Sequence, residues 1–281
     1  MTSTLLDITN KIDPNTLAVL QSVADAAQRL AIPLFVIGAT GRDLVLHHYY
    51  GAKLSRATQD LDFAIQIPDW SAFEALKSEL IQTGFSETSI SHRLDSAHGG
   101  WIDLIPFGPI STDGKAVAWP PNGDVVMSIL GFNEAYKHSL KVRLNDSSPS
   151  DIPVASPVGL ALLKLVSWTE RVREKRPNDA KDLIYLCTNY HEIPEIKDEI
   201  FSQVNMMQAY GWVLEYGSAF LLGRNARAIA APDTHAYLQL LFNDAIANRP
   251  LRELVRESCE NSNQYEEHGA RLNAFIDGYQ S

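Results

Sequence analysis

Cysteine is almost absent from this chain of 281 residues: there are two, Cys187 and Cys259, far apart and in no CxxC arrangement. That excludes a disulfide framework and a cysteine-built zinc site, and two reduced thiols suit a reducing cytoplasm. Long apolar runs are missing as well. No stretch approaches the ~18 residues needed to cross a bilayer, and the opening segment carries Asp7, Lys11 and Asp13 rather than an apolar core, so neither a membrane span nor a signal peptide is expected. Basic residues are in deficit, with 24 Lys and Arg against 34 Asp and Glu and a formal net charge of −10. A net acidic chain is not coated in phosphate-binding surface, which argues against broad nucleic-acid affinity but leaves room for a local basic patch. Several catalytic signatures are also lacking. There is no G-x-S-x-G elbow and no H-E-x-x-H. Gly114-Lys115 is followed by Ala116 where a P-loop needs Ser or Thr. Gly38-Ala39-Thr40-Gly41 has Leu44 where a dinucleotide fingerprint places its third glycine.

What is present is an ordinary globular composition, 45% hydrophobic and 21% charged, in a chain long enough for two domains at roughly 100–200 residues each. The first half alternates helix and strand signals. Asp13-Pro14 opens a helix, Asp as cap and Pro in the first turn. Pro33 ends it, and Leu34 to Ile37 read as a short buried strand closed by Gly38. Arg42 to Tyr50 look helical, Leu61 to Ile67 alternate as a strand, and Asp69 caps a helix from Trp70 to about Thr83. Trp101 to Ile105 is a strand stopped by Pro106, with weaker strands at Val125 to Met127 and Leu140 to Val142. Leu144 to Ser156, rich in Ser, Pro and Asp, reads as the domain boundary. Beyond it the chain reads as helix: Pro157 to Glu174, Asn178 to Tyr190, Glu195 to Leu222, Thr234 to Ala247, and Leu251 to the end. The expected fold is α+β, an α/β-type half over 1–150 with a mixed sheet and flanking helices, then an all-helical domain over 151–281.

The chemistry centres on Thr58-Gln59-Asp60-Leu61-Asp62-Phe63-Ala64-Ile65. Residues two apart in a strand share a face, so Asp60 and Asp62 point one way while Leu61, Phe63 and Ile65 point into a core. Two ionised carboxylates side by side repel unless a cation lies between them, and hard oxygen ligands suit Mg²⁺ or Mn²⁺. A solvated acidic strand end is the plain alternative for an isolated Asp-x-Asp. Asp103 weighs against it. An Asp amid Trp101, Ile102, Leu104 and Ile105 is costly to bury unless paired or metal-bound, and it can supply a third carboxylate from a second strand. A glycine turn at Gly38, between a strand and a helix, presents backbone amides that can cradle phosphate.

These segments, VIGATGRDLVL (36–46), SRATQDLDFAI (55–65), WIDLIPFGPI (101–110) and LALLKLVSWTERVREKRPNDAKDLIYL (160–186), resemble the DNA polymerase beta superfamily of nucleotidyltransferases. More closely, they are similar to bacterial predicted nucleotidyltransferases related to the abortive-infection toxins of type IV toxin–antitoxin systems. The resemblance implies two Mg²⁺ (or Mn²⁺) ions held by Asp60, Asp62 and Asp103, one on a nucleoside triphosphate and one activating an acceptor hydroxyl, with Asp103 as ligand and proton acceptor and pyrophosphate leaving. It implies that Gly38, Ala39, Thr40 and Arg42 line the nucleotide phosphates. Ala39 stands where the superfamily usually has Gly or Ser, which leaves Thr40 or Gly41 to do that work. Toxin kinship makes RNA, in particular a tRNA 3′ end, the leading acceptor and implies a cognate antitoxin as partner. A non-catalytic nucleotide-binding or antitoxin-pairing module on the same fold is the alternative.

Lys164, Trp168, Arg171 and Lys175 recur at helical spacing as one basic stripe. Related transferases place a lysine on the triphosphate from the corresponding helix, which is the role implied for Lys164. Asp179 and Asp182 resemble the family's Lys-Asp-x-x-Asp segment, with Asn178 in place of its lysine, and a salt-bridged brace through Asp179, Lys181 and Asp182 is the structural alternative. Trp119-Pro120-Pro121 and Phe107 read as a rigid structural loop rather than a base-stacking platform.

Overall fold

A computed structural model of the chain describes residues 5–54, 60–146, 151–246 and 249–281. The described chain divides into two compact units, Met1–Tyr49 with Lys53–Ser156, and Tyr50–Ala52 with Pro157–Ser281. Thr58 and Gln59 lie outside the described residues, as do 147–150 within the stretch expected to be a boundary.

In chain order the first unit runs β1 (Leu5–Asp7), α1 (Pro14–Arg29), β2 (Leu34–Ile37), α2 (Gly38–Arg42), β3 (Asp60–Gln66), α3 (Trp70–Gln82), β4 (Phe85–Glu87), β5 (Arg93–Ser96), β6 (Trp101–Phe107), β7 (Ala116–Ala118), β8 (Val126–Ser128), α4 (Phe132–Lys137), β9 (Leu140–Arg143) and β10 (Asp151–Val154). A π-helical stretch, Asp43–Tyr49, continues α2. Among the described residues the main sheet has the order β1-β9-β10-β2-β3-β6-β5-β4, while β7 and β8 form a separate hairpin. The sheet is mixed: β3 runs parallel to β6 and antiparallel to β2, and β5 is antiparallel to β6. Both expected caps are made. The Asp13 carboxylate accepts from the amides of Asn15 and Thr16, and Asp69 accepts from that of Ala72.

The register of β3 is set by what it buries. Leu61, Phe63 and Ile65 lie in the core, each contributing roughly 1.5–3 kcal/mol. A slip of one residue would expose all three and drive the neighbouring carboxylates inward, so the apolar face fixes where Asp60 and Asp62 point.

Two expectations are corrected here. Pro106 does not stop the strand, since β6 continues to Phe107 with Pro106 opposite Ile65. The amide of Leu104 donates to His92, on the β5 side, and the carbonyl of Phe107 accepts from Ile67, on the β3 side. Pro106 therefore turns its missing N–H toward the β5 side, at a level before the first residue of that strand, Arg93, where no ladder bond is lost. The second correction is β10, which lies inside the stretch expected to be a linker. Ile152 and Val154 are buried, and the strand pairs with both β9 and β2.

The second unit holds α5 (Pro157–Glu170), α6 (Arg176–Asn189), α7 (Pro194–Ser202), α8 (Val204–Ala209), α9 (Leu214–Ile229), α10 (Pro232–Phe242), α11 (Leu251–Ser258) and α12 (Tyr265–Gln280). The single helix expected over Glu195 to Leu222 is three, broken at Gln203 and again around Trp212, whose φ is +62°. Helices α9 and α12 meet backbone to backbone. A methyl group at Gly223 would fall 1.9 Å from the Phe275 carbonyl oxygen, and one at Gly278 would fall 2.0 Å from that of Phe220. Among the described residues no helix is long and apolar enough to cross a membrane.

Candidate active site

The three aspartates come together through strand register. Asp62 pairs directly with Asp103 across β3 and β6, and Asp60, two residues earlier, shares the face of Asp62. On its other side Asp62 pairs with Ile37, the last residue of β2, so Gly38 sits against its carboxylate. Asp60 and Asp62 are half-buried and Asp103 is buried. Among the described residues no three metal-ligating side chains are drawn into a closed cation site. The donor set nonetheless has the chemistry for one, because the oxygens are hard, anionic and contributed by adjacent strands.

Gly38 makes the arrangement possible. Its φ is +69°, and a Cβ there would lie 1.9 Å from Asp62 Oδ2. Thr40 serves the same strand from the next turn, its hydroxyl donating to the Asp60 carbonyl oxygen at 3.0 Å. The sequence suggested a phosphate cradle at this turn; the structure adds that the turn holds the Asp-x-Asp strand in place. Gly38→Ala should therefore destabilise the protein by more than the ~1–2 kcal/mol that a left-handed alanine costs. Gly114, with φ +72° and open space around it, is the matched control. Thermal denaturation of Gly38→Ala and Gly114→Ala separates the terms, and equal losses would show that the carboxylate contact adds nothing.

Arg93 is the residue that sequence reasoning missed. It stands opposite Asp103 in the β5–β6 register and grips it with two hydrogen bonds, Nε to Oδ1 and a terminal nitrogen to Oδ2, each 2.7 Å. Hydrogen bonding to Asp103 raises the guanidinium further above its ordinary value, against the effect of burial, and the charges of Asp103, Asp60 and Asp62 add to it. A signal for it existed: Gly99 and Gly100, both at positive φ, close a hairpin that folds Arg93 back onto Asp103.

The expected phosphate contacts divide. Gly38, Ala39 and Thr40 are buried at the start of α2, whose first amides have no side-chain cap. Arg42 is buried, and its Nε donates to Asp43 at 2.8 Å. Lys164, in the helical unit, lies between Asp179 at 3.0 Å and Asp182 at 2.7 Å. The brace between α5 and α6 thus exists, but it runs through Lys164, while Lys181 pairs with Glu260 instead. The basic stripe forms only in part. Lys164 and Arg171 share a face and both reach Asp179, but α5 ends at Glu170 and Lys175 lies beyond its helical spacing. Trp168 is fully buried and donates its indole N–H to Glu257. Trp119 packs against Trp70, Phe73 and His92, and Phe107 is buried, so both act as core.

Solved structures to which the chain is similar include the antibiotic-resistance factor ANT(2″)-Ia, 11% identical, with the match covering 71% of this chain and 98% of that one at a TM-score of 0.40. An antigenic nucleotidyltransferase-like protein from Paracoccidioides brasiliensis is 15% identical over 70% of this chain and 93% of its own, at 0.39. The CD-NTase CdnG of Bradyrhizobium diazoefficiens, solved with GTP, is 11% identical over 97% and 89%, at 0.32. No curated protein is significantly similar in sequence. Residues 24–276 match the family model described as nucleotidyl transferase AbiEii toxin of type IV toxin–antitoxin systems. That span takes in Asp60, Asp62, Asp103 and most of the helical unit, and the chain accordingly belongs to the AbiEii family of nucleotidyltransferases.

Proposed function

We propose that the protein transfers a nucleoside monophosphate from a nucleoside triphosphate to an acceptor hydroxyl, with divalent metal bound by Asp60, Asp62 and Asp103. The observation that carries this reading is the register pairing of Asp62 with Asp103, with Asp60 on the same face and Gly38 against Asp62. Mg²⁺ or Mn²⁺ bound there supplies charge neutralisation of the triphosphate and polarisation of the attacking hydroxyl. The acceptor oxygen attacks the α-phosphorus, the bond to the bridging oxygen breaks, and pyrophosphate leaves with its electrons. Asp103 is the proposed acceptor of the hydroxyl proton. The amides of Gly38, Ala39 and Thr40, at the uncapped start of α2, would be the groups to meet phosphate oxygens. Arg42 and Lys164, whose charges are already met by Asp43 and by Asp179 and Asp182, support the architecture.

RNA, a tRNA 3′ end in particular, is the acceptor proposed, and a cognate antitoxin the protein partner, both on the family's toxin–antitoxin association. The test incubates the protein with Mg²⁺ or Mn²⁺, each labelled NTP in turn and total cellular RNA, beside an Asp60→Ala/Asp62→Ala control. Label on RNA that is lost in the control is the expected result and identifies the nucleotide. Label on protein or a small molecule keeps the chemistry and replaces the acceptor. Metal-dependent nucleotide binding without transfer favours the non-catalytic module.

A further inference from the structure

The carboxylate face carries its own cation. Arg93 reaches Asp103 from β5, while Asp62 flanks Asp103 from β3. One planar guanidinium fork engages both oxygens of the third carboxylate, two bonds of 2.7 Å, which is the strongest geometry open to such a pair. The guanidinium carbon also lies 4.7 Å from the centre of the Trp101 ring, so the fork is held on a second side. Both side chains are largely shielded from water, at 24% and 12% exposure, where screening is weak.

Three carboxylates on one face repel each other without a counter-charge. Arg93 supplies one positive charge that no accessible pH removes. A divalent ion supplies two, and it needs oxygen ligands that Arg93 already engages at Asp103. We propose that Arg93 is a positioning residue that holds Asp103 in place and sets the metal affinity of the carboxylate face by competing with the divalent cation for the two oxygens of Asp103. The proposal rests on Asp60, Asp62 and Asp103 being the metal ligands. It makes Arg93 a placeholder: the face is charge-compensated before metal arrives, and completing the ligand set means opening the fork.

The experiment is a Mn²⁺ titration of the full-length protein without nucleotide, with free Mn²⁺ read by electron paramagnetic resonance, on wild type, Arg93→Gln, Arg93→Lys and Asp62→Asn. Arg93→Gln should bind Mn²⁺ about tenfold more tightly than wild type, the ratio set by one charge-assisted hydrogen bond. Arg93→Lys should fall between the two, since it keeps the charge and loses the fork, and Asp62→Asn should bind more weakly than wild type. A loosened fold would weaken binding, so tightening cannot come from structural damage. Equal or weaker binding in Arg93→Gln, with Asp62→Asn still weaker than wild type, overturns the competition and leaves the metal ligands standing. Absence of Mn²⁺ binding in all four proteins overturns both. If Arg93→Gln does not fold, Arg93→Lys decides: tighter binding than wild type supports the proposal, and unchanged or weaker binding overturns it.

Discussion

Asp62→Asn should lower nucleotidyl transfer by at least about 10³-fold, with the fold unchanged. Asparagine keeps the size of aspartate and its packing against Gly38, so the strand and the turn beside it are undisturbed. What disappears is one negative charge, at the position flanked by both the glycine turn and Asp103. Metal-held charge stabilisation in phosphoryl-type transition states amounts to several kcal/mol, and each ~1.4 kcal/mol is tenfold in rate. The check is the initial rate of labelled nucleotide incorporation, compared between proteins of matched thermal midpoint. A variant that keeps more than about a tenth of the wild-type rate, under one factor of ten in the barrier, would remove Asp62 from the chemistry. The non-catalytic alternative expects no change, because it has no rate to lose.

Lys164→Met should cost about 3–5 kcal/mol of stability, the range for breaking a buried ion pair from one side. The side chains of Asp179 and Asp182 are 0% and 2% exposed. Without the lysine they remain as neighbouring buried carboxylates, with Arg171 and Ser167 left on Asp179. Burial alone would depress the lysine's affinity for its proton, but Asp182 and then Asp179 reverse this and raise it above the ordinary lysine range. A folded-state value above the unfolded one means that the contribution is fully present below the unfolded value and fades as pH rises through the folded one. On the lysine's side the brace is therefore intact across neutral pH and weakens in strong alkali. Urea denaturation at neutral pH measures the loss. A companion variant, Lys164→Met with Asp179→Asn and Asp182→Asn, should recover part of it, since removing a whole buried network is less harmful than halving it. An unchanged urea midpoint in Lys164→Met would show the brace contributes little. Lost transfer at unchanged stability would move Lys164 to the triphosphate.

What could be read from the sequence follows how local each interaction is. The shared face of Asp60 and Asp62 needs only strand alternation, and the caps at Asp13 and Asp69 need only their own first turns. Asp103 declared itself by the cost of burying a carboxylate among apolar neighbours, although the partner nearest to hand proved to be Arg93. That partner was hidden because β5 is four residues long, three of them polar, too short to show a period. β10 was hidden for a different reason. Its Pro and its Asp- and Ser-rich surroundings have poor strand propensity, but β9 and β2 supply a ladder on both sides and tertiary pairing overrides propensity. The basic stripe held for Lys164 and Arg171, which meet at Asp179, and fell short at Lys175 because its spacing was counted past Glu170, where α5 had already ended. The helices after Tyr190 show no chemical motif, yet Gly223 and Gly278 were markers of close backbone crossing.

Pro106 has one more consequence. Every backbone amide buried inside a protein must find an acceptor, and an orphaned one costs ~1–3 kcal/mol. Position 106 is buried, and its β5-facing side lies past the end of that strand. At that position nineteen of the twenty amino acids would bring an N–H with no strand beside it to accept. Proline is the only residue that arrives without that debt, so the one that looks in the sequence like a strand breaker is what lets β6 run on past its neighbour.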